Sequence, residues 1–452
     1  MTERNIVIGQ VLDSQPVGAL RWRVFLLCGL ITLLDGFDTQ AIGYVAPRIA
    51  HDFGLELSAF GVIFSASLVG LMVGAMTLGP LGDRVGRKPV LLASFAGVGL
   101  FSLLTGFSGT SEELIVLRFL TGVGLGGTVP NAIALTAEYA PGRHRAALVT
   151  LVFAGFPLGA GLGGLATAPL IEDFGWRAVF FAGGVLPLLL CAVTLRLLPE
   201  SLGFLAAKHP GSPKIAAILE KIDPAYHQRD GDQFIVDEAK EERGRLKSLF
   251  GEGRAVGTAL LWLIFFCNLL ILYFILNWLP ATLARENYSL DQAIRITALF
   301  NIGGVTGGIG LGWLVDRFGP RVVLNIAFST GAALVAMIGV VSGSPPALLF
   351  VVFAAGFCVI GCQFCINILA IEMYPMAIRS TGLGWAVGIG RFGAIVGPML
   401  GGILIAREWL VEWVFVVGGV PSLLCALWVV SLYRLSTRNP QAGGRPSTAG
   451  LG

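Results

Sequence analysis

Two aspartates three residues apart, Asp35 and Asp38 in the stretch LLDGFDTQ (residues 33–40), sit inside an apolar run from Val24 to Val45. At that spacing they share one face of a helix. About 20 apolar residues cross the hydrocarbon core of a bilayer, where a charge costs roughly 2.5–3.5 kcal/mol at a helix centre and marks a functional site by default. Arg118 lies a few residues into another apolar run, at a depth expected to match that of Asp38, and opposite charges there should pair. The chemistry on offer is proton exchange. Burial, a second carboxylate and a nearby arginine each alter a carboxylate's proton affinity. Moving the arginine or a bound anion between two states would alter it again, which is what coupling requires. A static ion pair locking two helices together is the alternative, but two acids facing one arginine leave a carboxylate that a lock does not need.

Arg391 poses the complementary question. It falls midway along an apolar run, among Gly388, Gly390 and Gly393, whose missing side chains leave room for a ligand or a neighbouring backbone. A guanidinium fork suits a carboxylate bidentately, so an anionic substrate is one expected counter-ion. An acid or carbonyl on another helix is the other.

These charges need elements to carry them. The chain has 452 residues, 55% hydrophobic and 13% charged, against about 25% charged in soluble domains. An all-α polytopic membrane protein follows. Its 62 glycines point to closely packed helices. The net charge of +3 is too small to indicate nucleic-acid binding. The seven cysteines lie in apolar runs and the four histidines in polar connections or at helix ends. Cys358, Cys362 and Cys365 share a helix face without a histidine or carboxylate beside them. No metal, cofactor or enzymatic nucleophile is therefore expected.

Apolar runs place helices 1–6 near 24–45, 58–80, 89–107, 113–138, 145–170 and 177–198, and helices 7–12 near 257–282, 292–314, 321–341, 347–372, 380–404 and 413–434. The resulting division is a cytoplasmic N-terminal segment (1–23), an N-terminal six-helix bundle (24–198), a cytoplasmic linker with some helix (199–256), a C-terminal six-helix bundle (257–434) and a disordered tail (435–452). Residues 1–23 are polar and the first apolar run is too long for a cleaved leader, so no signal peptide is expected. Basic residues concentrate in alternate short loops, which puts both termini in the cytoplasm. The halves repeat: GPLGDRVGRK (79–88) matches GWLVDRFGPR (312–321), EYAPGRHR (138–145) matches EMYPMAIR (372–379), and Gly159 and Gly163 match Gly393 and Gly397, all offset by 233 or 234. Six helices repeated once is the architecture of two pseudo-symmetric bundles moving about a midplane site.

At this point the sequence resembles the major facilitator superfamily, whose loop motif G-x-x-x-D-R-x-G-R-K is present in full as Gly79, Asp83, Arg84, Gly86, Arg87 and Lys88. Its second copy, with Gly312, Asp316, Arg317, Gly319 and Arg321, is degenerate. DGFD on helix 1, RFLTGVGLGG on helix 4 and GWAVGIGRFGAIVGP on helix 11 resemble the aromatic acid:proton symporters, bacterial importers of benzoate, hydroxybenzoates and protocatechuate. The resemblance implies an inner-membrane symporter that works as a monomer, with a small aromatic carboxylate and protons as its partners. It links the helix 1 aspartates to transport and arranges helices 1, 4, 7 and 10 around a cavity. Candidate substrate contacts, besides Arg391, are then Phe37, Asn131, Asn268, Tyr273, Asn277, Trp278, Gln363 and Asn367. For each of them an interhelical contact is the competing reading. The resemblance assigns conformational gating to Gly79, Asp83, Arg84, Gly86, Arg87, Glu138, Arg145, Asp316, Arg317, Glu372 and Arg379; for Arg84 and Arg87, fixing membrane topology is the competing reading. A symporter of another organic anion or a sugar acid, or a drug:proton antiporter, is the alternative. Antiporters usually carry G-P-x-x-G-G on helix 5, where this chain reads GFPLGAGLGG.

Overall fold

A computed structural model describes residues 4–223, 225–226, 228–229, 232–235, 246–251, 253–375 and 378–438. Among the described residues, twelve helical stretches are long and apolar enough to cross a membrane, so the protein is a multi-pass membrane protein. Spans 1–6 are Ala19–Phe53, Leu57–Val85, Arg87–Thr105, Ser111–Tyr139, Gly142–Phe174 and Trp176–Leu197. Spans 7–12 are Ala255–Arg285, Leu290–Phe318, Pro320–Val340, Pro345–Met373, Thr381–Ala406 and Val411–Arg434. Several overrun the apolar segments that reveal them. Span 1 begins five residues before Val24 and ends eight after Val45 (24 − 19 and 53 − 45), because hydropathy marks only the stretch matched to hydrocarbon and backbone hydrogen bonding carries the helix further. Span 10 is interrupted at Ile366, between Pro345–Cys365 and Asn367–Met373.

The chain forms two compact units, residues 1–41 with 66–239 and residues 42–65 with 240–452. The C-terminal end of span 1 and the start of span 2 thus group with the second unit, although sequence order alone assigns them to the first bundle. Within that second unit Ser65 Oγ donates to the Ile395 carbonyl at 2.9 Å, and the Phe64 ring meets Trp278 edge-on at 5.4 Å.

Each unit is held by glycines set against carbonyl oxygens, and the contacts repeat at the sequence offset. A Cβ on Gly70 would lie 2.0 Å from the Phe119 oxygen, and one on Gly303 would lie 2.1 Å from that of Phe353; the offsets are 303 − 70 = 233 and 353 − 119 = 234. Spans 2 and 4 therefore meet as spans 8 and 10 do. Spans 1 and 5 meet at Gly159, whose Cβ would lie 1.7 Å from the Leu33 oxygen, and spans 7 and 11 at Gly393, 1.9 Å from that of Phe266. Only glycine admits such an approach. The loop motif has its own backbone reason: Gly86 and Gly319, 233 residues apart, both adopt positive φ (115° and 80°) where one span turns into the next.

Residues outside the spans also fold. Arg4–Val7 pairs in parallel with Asp232–Ile235, followed by a short helix at Ile8–Ser14, and two helices in the linker occupy Leu202–Lys208 and Pro213–Ile222. Their apolar residues Ile6, Leu12, Leu205, Ile215, Leu219 and Phe234 are buried in one core with the ends of the first unit's spans. The buried Arg21 fastens this cap, donating from Nε to the Tyr139 carbonyl at 2.8 Å and from Nη1 to that of Leu12 at 3.0 Å. The segments read as a polar terminus and a solvated linker are in these parts a packed layer. Their apolar runs are too short to stand out by hydropathy and become a core only when strands about 230 residues apart in sequence are joined.

Candidate functional site

In the first unit the charges meet. Arg118 Nη1 donates to Asp38 Oδ2 at 3.2 Å, and the two side chains are 0% and 1% exposed. Arg118 Nη2 donates to Thr105 Oγ1 at 2.8 Å and to Thr121 Oγ1 at 3.0 Å, the guanidinium lies over the Phe180 ring at 4.9 Å, and the buried Nε has no hydrogen-bond partner among the described residues. The other carboxylate oxygen of Asp38 accepts from Ser102 Oγ at 2.6 Å. Spans 1, 3, 4 and 6 each supply a partner, so a buried ion pair is stabilised by hydrogen bonds on both sides. Asp35, one helical turn earlier, is equally buried, at 1% exposed. Sequence reading missed Ser102, Thr105, Thr121 and Phe180. Of these only Thr121 carried a signal, its place three residues from Arg118.

Two of the proposed ligand contacts in this unit are packing residues in the structure. Phe37 is 7% exposed and fills the space over Gly163 and Gly183. Asn131 is 3% exposed and donates to the Gly127 carbonyl at 2.7 Å, with its Oδ1 lying against Gly82.

In the second unit Arg391 is half-buried and has no hydrogen-bond or ion-pair partner among the described residues. It lies one residue, about 100° of helix, from the exposed apolar stripe of Trp385, Phe392, Val396, Met399 and Ile403. On its own side a Cβ placed on Gly384 or Gly388 would meet nothing within 4 Å. The helix side that carries Arg391 is thus open at both of these glycines. On span 7, Asn268 Nδ2 donates to Gln363 Oε1 of span 10 at 2.7 Å. Asn277 turns back on its own helix, to the Tyr273 carbonyl at 2.7 Å, and Trp278 Nε1 donates to the Pro398 carbonyl at 2.8 Å. Tyr273 is 5% exposed, and Asn367 is half-buried where span 10 resumes.

The loop charges form a network of their own in the first unit. Arg87 reaches Asp83 at 3.2 Å and also pairs with Glu138. Glu138 accepts in addition from Ser201 Oγ at 2.7 Å and from the Gly203 amide at 3.3 Å, so its partners come from the motif and from the linker, while Arg84 and Arg145 are exposed. In the second unit Glu372 accepts from the Tyr433 hydroxyl and Arg379 Nε donates to the Tyr374 carbonyl at 3.4 Å. Arg317 lies 5.6 Å over the Trp313 ring. The matched charges of the two halves therefore serve different contacts.

Comparison with known proteins agrees with this architecture. The model of the Major Facilitator Superfamily matches residues 28–310 and 261–450. A gallate transporter of Pseudomonas putida is 42% identical over 421 residues, 93% of each chain. The 4-hydroxybenzoate transporter PcaK of Pseudomonas aeruginosa is 40% identical over 421 residues, 93% of this chain and 94% of that one. Among solved structures, the xylose transporter XylE from E. coli superposes with a TM-score of 0.70 at 19% identity, covering 92% of this chain and 98% of the other.

Proposed function

Since this chain belongs to the Major Facilitator Superfamily and its relatives are transporters, not enzymes, we propose that it imports a small aromatic carboxylate together with protons across the bacterial inner membrane, with both termini in the cytoplasm. The carrying observation is the contrast between its two intramembrane arginines. Arg118 is caged with Asp38, whereas the half-buried Arg391 has no hydrogen-bond or ion-pair partner among the described residues and shares its helix side with the open Gly384 and Gly388. A cation at such depth favours an anion, and a carboxylate matches its fork.

The proton is carried at Asp38, with Asp35 beside it. Protonating Asp38 removes the charge that Arg118 neutralises and leaves the arginine to Thr105, Thr121 and Phe180. The caged and released arrangements then differ in free energy, and proton occupancy biases the equilibrium between conformations. Anion binding at Arg391 biases the same equilibrium. Two ligands that each prefer one state are thereby coupled, by an amount set by their differential affinities.

The test is uptake of labelled benzoate and 4-hydroxybenzoate into energised membrane vesicles, with and without an uncoupler. Accumulation is expected to collapse with the uncoupler. Arg391→Lys is expected to raise the half-saturating concentration about tenfold or more, because a hydrogen bond to a charged group contributes about 1.5–3 kcal/mol. Accumulation indifferent to the uncoupler would refute the coupling, and unchanged affinity in Arg391→Lys would refute bidentate capture.

A further inference from the structure

We infer that the amide pair Asn268–Gln363, at the interruption of span 10, reads a hydroxyl group on the substrate's ring and so sets preference among aromatic acids. This inference rests on the aromatic-carboxylate reading above.

Three observations lead to it. First, the pair is unfinished. Asn268 is 1% exposed, and while its Nδ2 donates to Gln363 Oε1 at 2.7 Å, its Oδ1 is buried with no hydrogen-bond partner among the described residues. Leaving a buried amide oxygen unsatisfied is costly, and such a group asks for a ligand. Exchanging O and N in both amides changes nothing essential, because the pair still has an unspent acceptor and an unspent donor. A phenolic hydroxyl both donates and accepts, and can therefore use both.

Second, the pair sits where span 10 is irregular. The helix stops at Cys365 and resumes at Asn367, and the Leu369 amide reaches only to the Ile366 carbonyl, three residues back. Gln363, half-buried, lies in the last turn before the interruption. Interrupted helices in transporters occur where backbone and side chains line a cavity.

Third, depth and neighbourhood agree with Arg391. Spans alternate in direction, so the start of span 7, the end of span 10 and the start of span 11 lie on one side. At 1.5 Å per residue, Asn268 is about 20 Å from Ala255, Gln363 about 15 Å from Met373, and Arg391 about 15 Å from Thr381. Span 7 adjoins both partners, touching span 11 through Gly390 and Gly393 and span 10 through Asn268. A flat ring whose carboxylate is held at Arg391 can present its far edge to the amides. A site built to bond a hydroxyl rejects the analogue that lacks it much more strongly than an apolar pocket discriminates by size.

The experiment compares binding of benzoate and 4-hydroxybenzoate, equal in charge and ring, to the purified full-length protein by calorimetry. The wild type is expected to prefer 4-hydroxybenzoate by about tenfold or more, and Asn268→Leu is expected to bring that ratio below about threefold. Reading a ratio cancels any general weakening of the site, which a purely structural role of Asn268 would cause. If Asn268→Leu does not yield folded protein, Gln363→Leu gives the same readout from the half-buried partner. A wild type without preference, or a ratio untouched by the substitutions, overturns the hydroxyl reading and leaves aromatic-acid transport standing. Failure of both acids to bind the wild type overturns the aromatic-acid reading and this inference with it.

Discussion

Asp38 spends each carboxylate oxygen on a different partner, Oδ1 on Ser102 and Oδ2 on Arg118. The arrangement satisfies a buried carboxylate from two sides. A buried pair gains little over an apolar replacement, yet removing one member costs about 3–5 kcal/mol because the other is stranded. Arg118 is not wholly stranded, since two threonine hydroxyls and the Phe180 ring remain. Asp38→Asn should therefore fold, with stability lower by about 3 kcal/mol in a thermal unfolding assay, and adding Arg118→Gln should recover part of it. The single variant should exchange substrate for substrate while failing to concentrate it against a gradient. Concentrative uptake by Asp38→Asn would remove this carboxylate from the coupling step.

Between helices, the decisive contacts are glycine against carbonyl. The recurrence of Gly70 on Phe119 as Gly303 on Phe353, and of Gly159 on Leu33 as Gly393 on Phe266, gives each unit the same pair of close crossings. Those crossings are rigid because any Cβ would displace backbone, which cannot yield as a side chain can. Gly159→Ala is expected to destabilise the protein by about 1–3 kcal/mol, as overpacking does. Gly29→Ala on span 1, where a Cβ meets nothing within 4 Å, should be neutral or slightly stabilising through helix propensity. Comparing the unfolding temperatures of the two variants checks the argument, and equal shifts would contradict it.

Across the whole chain, the helix that carries Asp35 and Asp38 runs from one unit into the other. Asp38 lies four residues before Ile42, where the second unit begins (42 − 38), about 6 Å along the axis. Outside the spans, the cap joins the N-terminal strand to the linker and shares its core with the first unit's spans, while Ser201 and Gly203 of the linker hold Glu138. Phe234, 1% exposed, anchors it. Phe234→Ala should cost about 3–5 kcal/mol locally and open the linker to protease before the spans unfold. Limited proteolysis that finds the linker no more sensitive than in the wild type would show that the cap does not depend on this side chain.

The amino-acid sequence by itself determined twelve membrane spans, their twofold repeat and the charged residues inside them. These depend on local hydropathy, on motif spacing and on the cost of a charge in hydrocarbon, all legible along the chain. Asp35, Asp38, Arg118 and Arg391 stood out for that reason. Tertiary structure alone decided which oxygen meets which nitrogen: that Ser102 and Thr105 of span 3 complete the cage around Asp38 and Arg118, that Glu138 takes Arg87 and Ser201 as partners, that Phe37 and Asn131 pack between helices, and that Asn268 Oδ1 has no hydrogen-bond partner among the described residues. Serines, threonines and asparagines in apolar helices look alike in sequence, because any of them can bond its own preceding turn. Only the approach of a second helix selects the few that reach across. The cap was hidden for a related reason, since its strands become a sheet only when residues far apart in the chain are brought edge to edge.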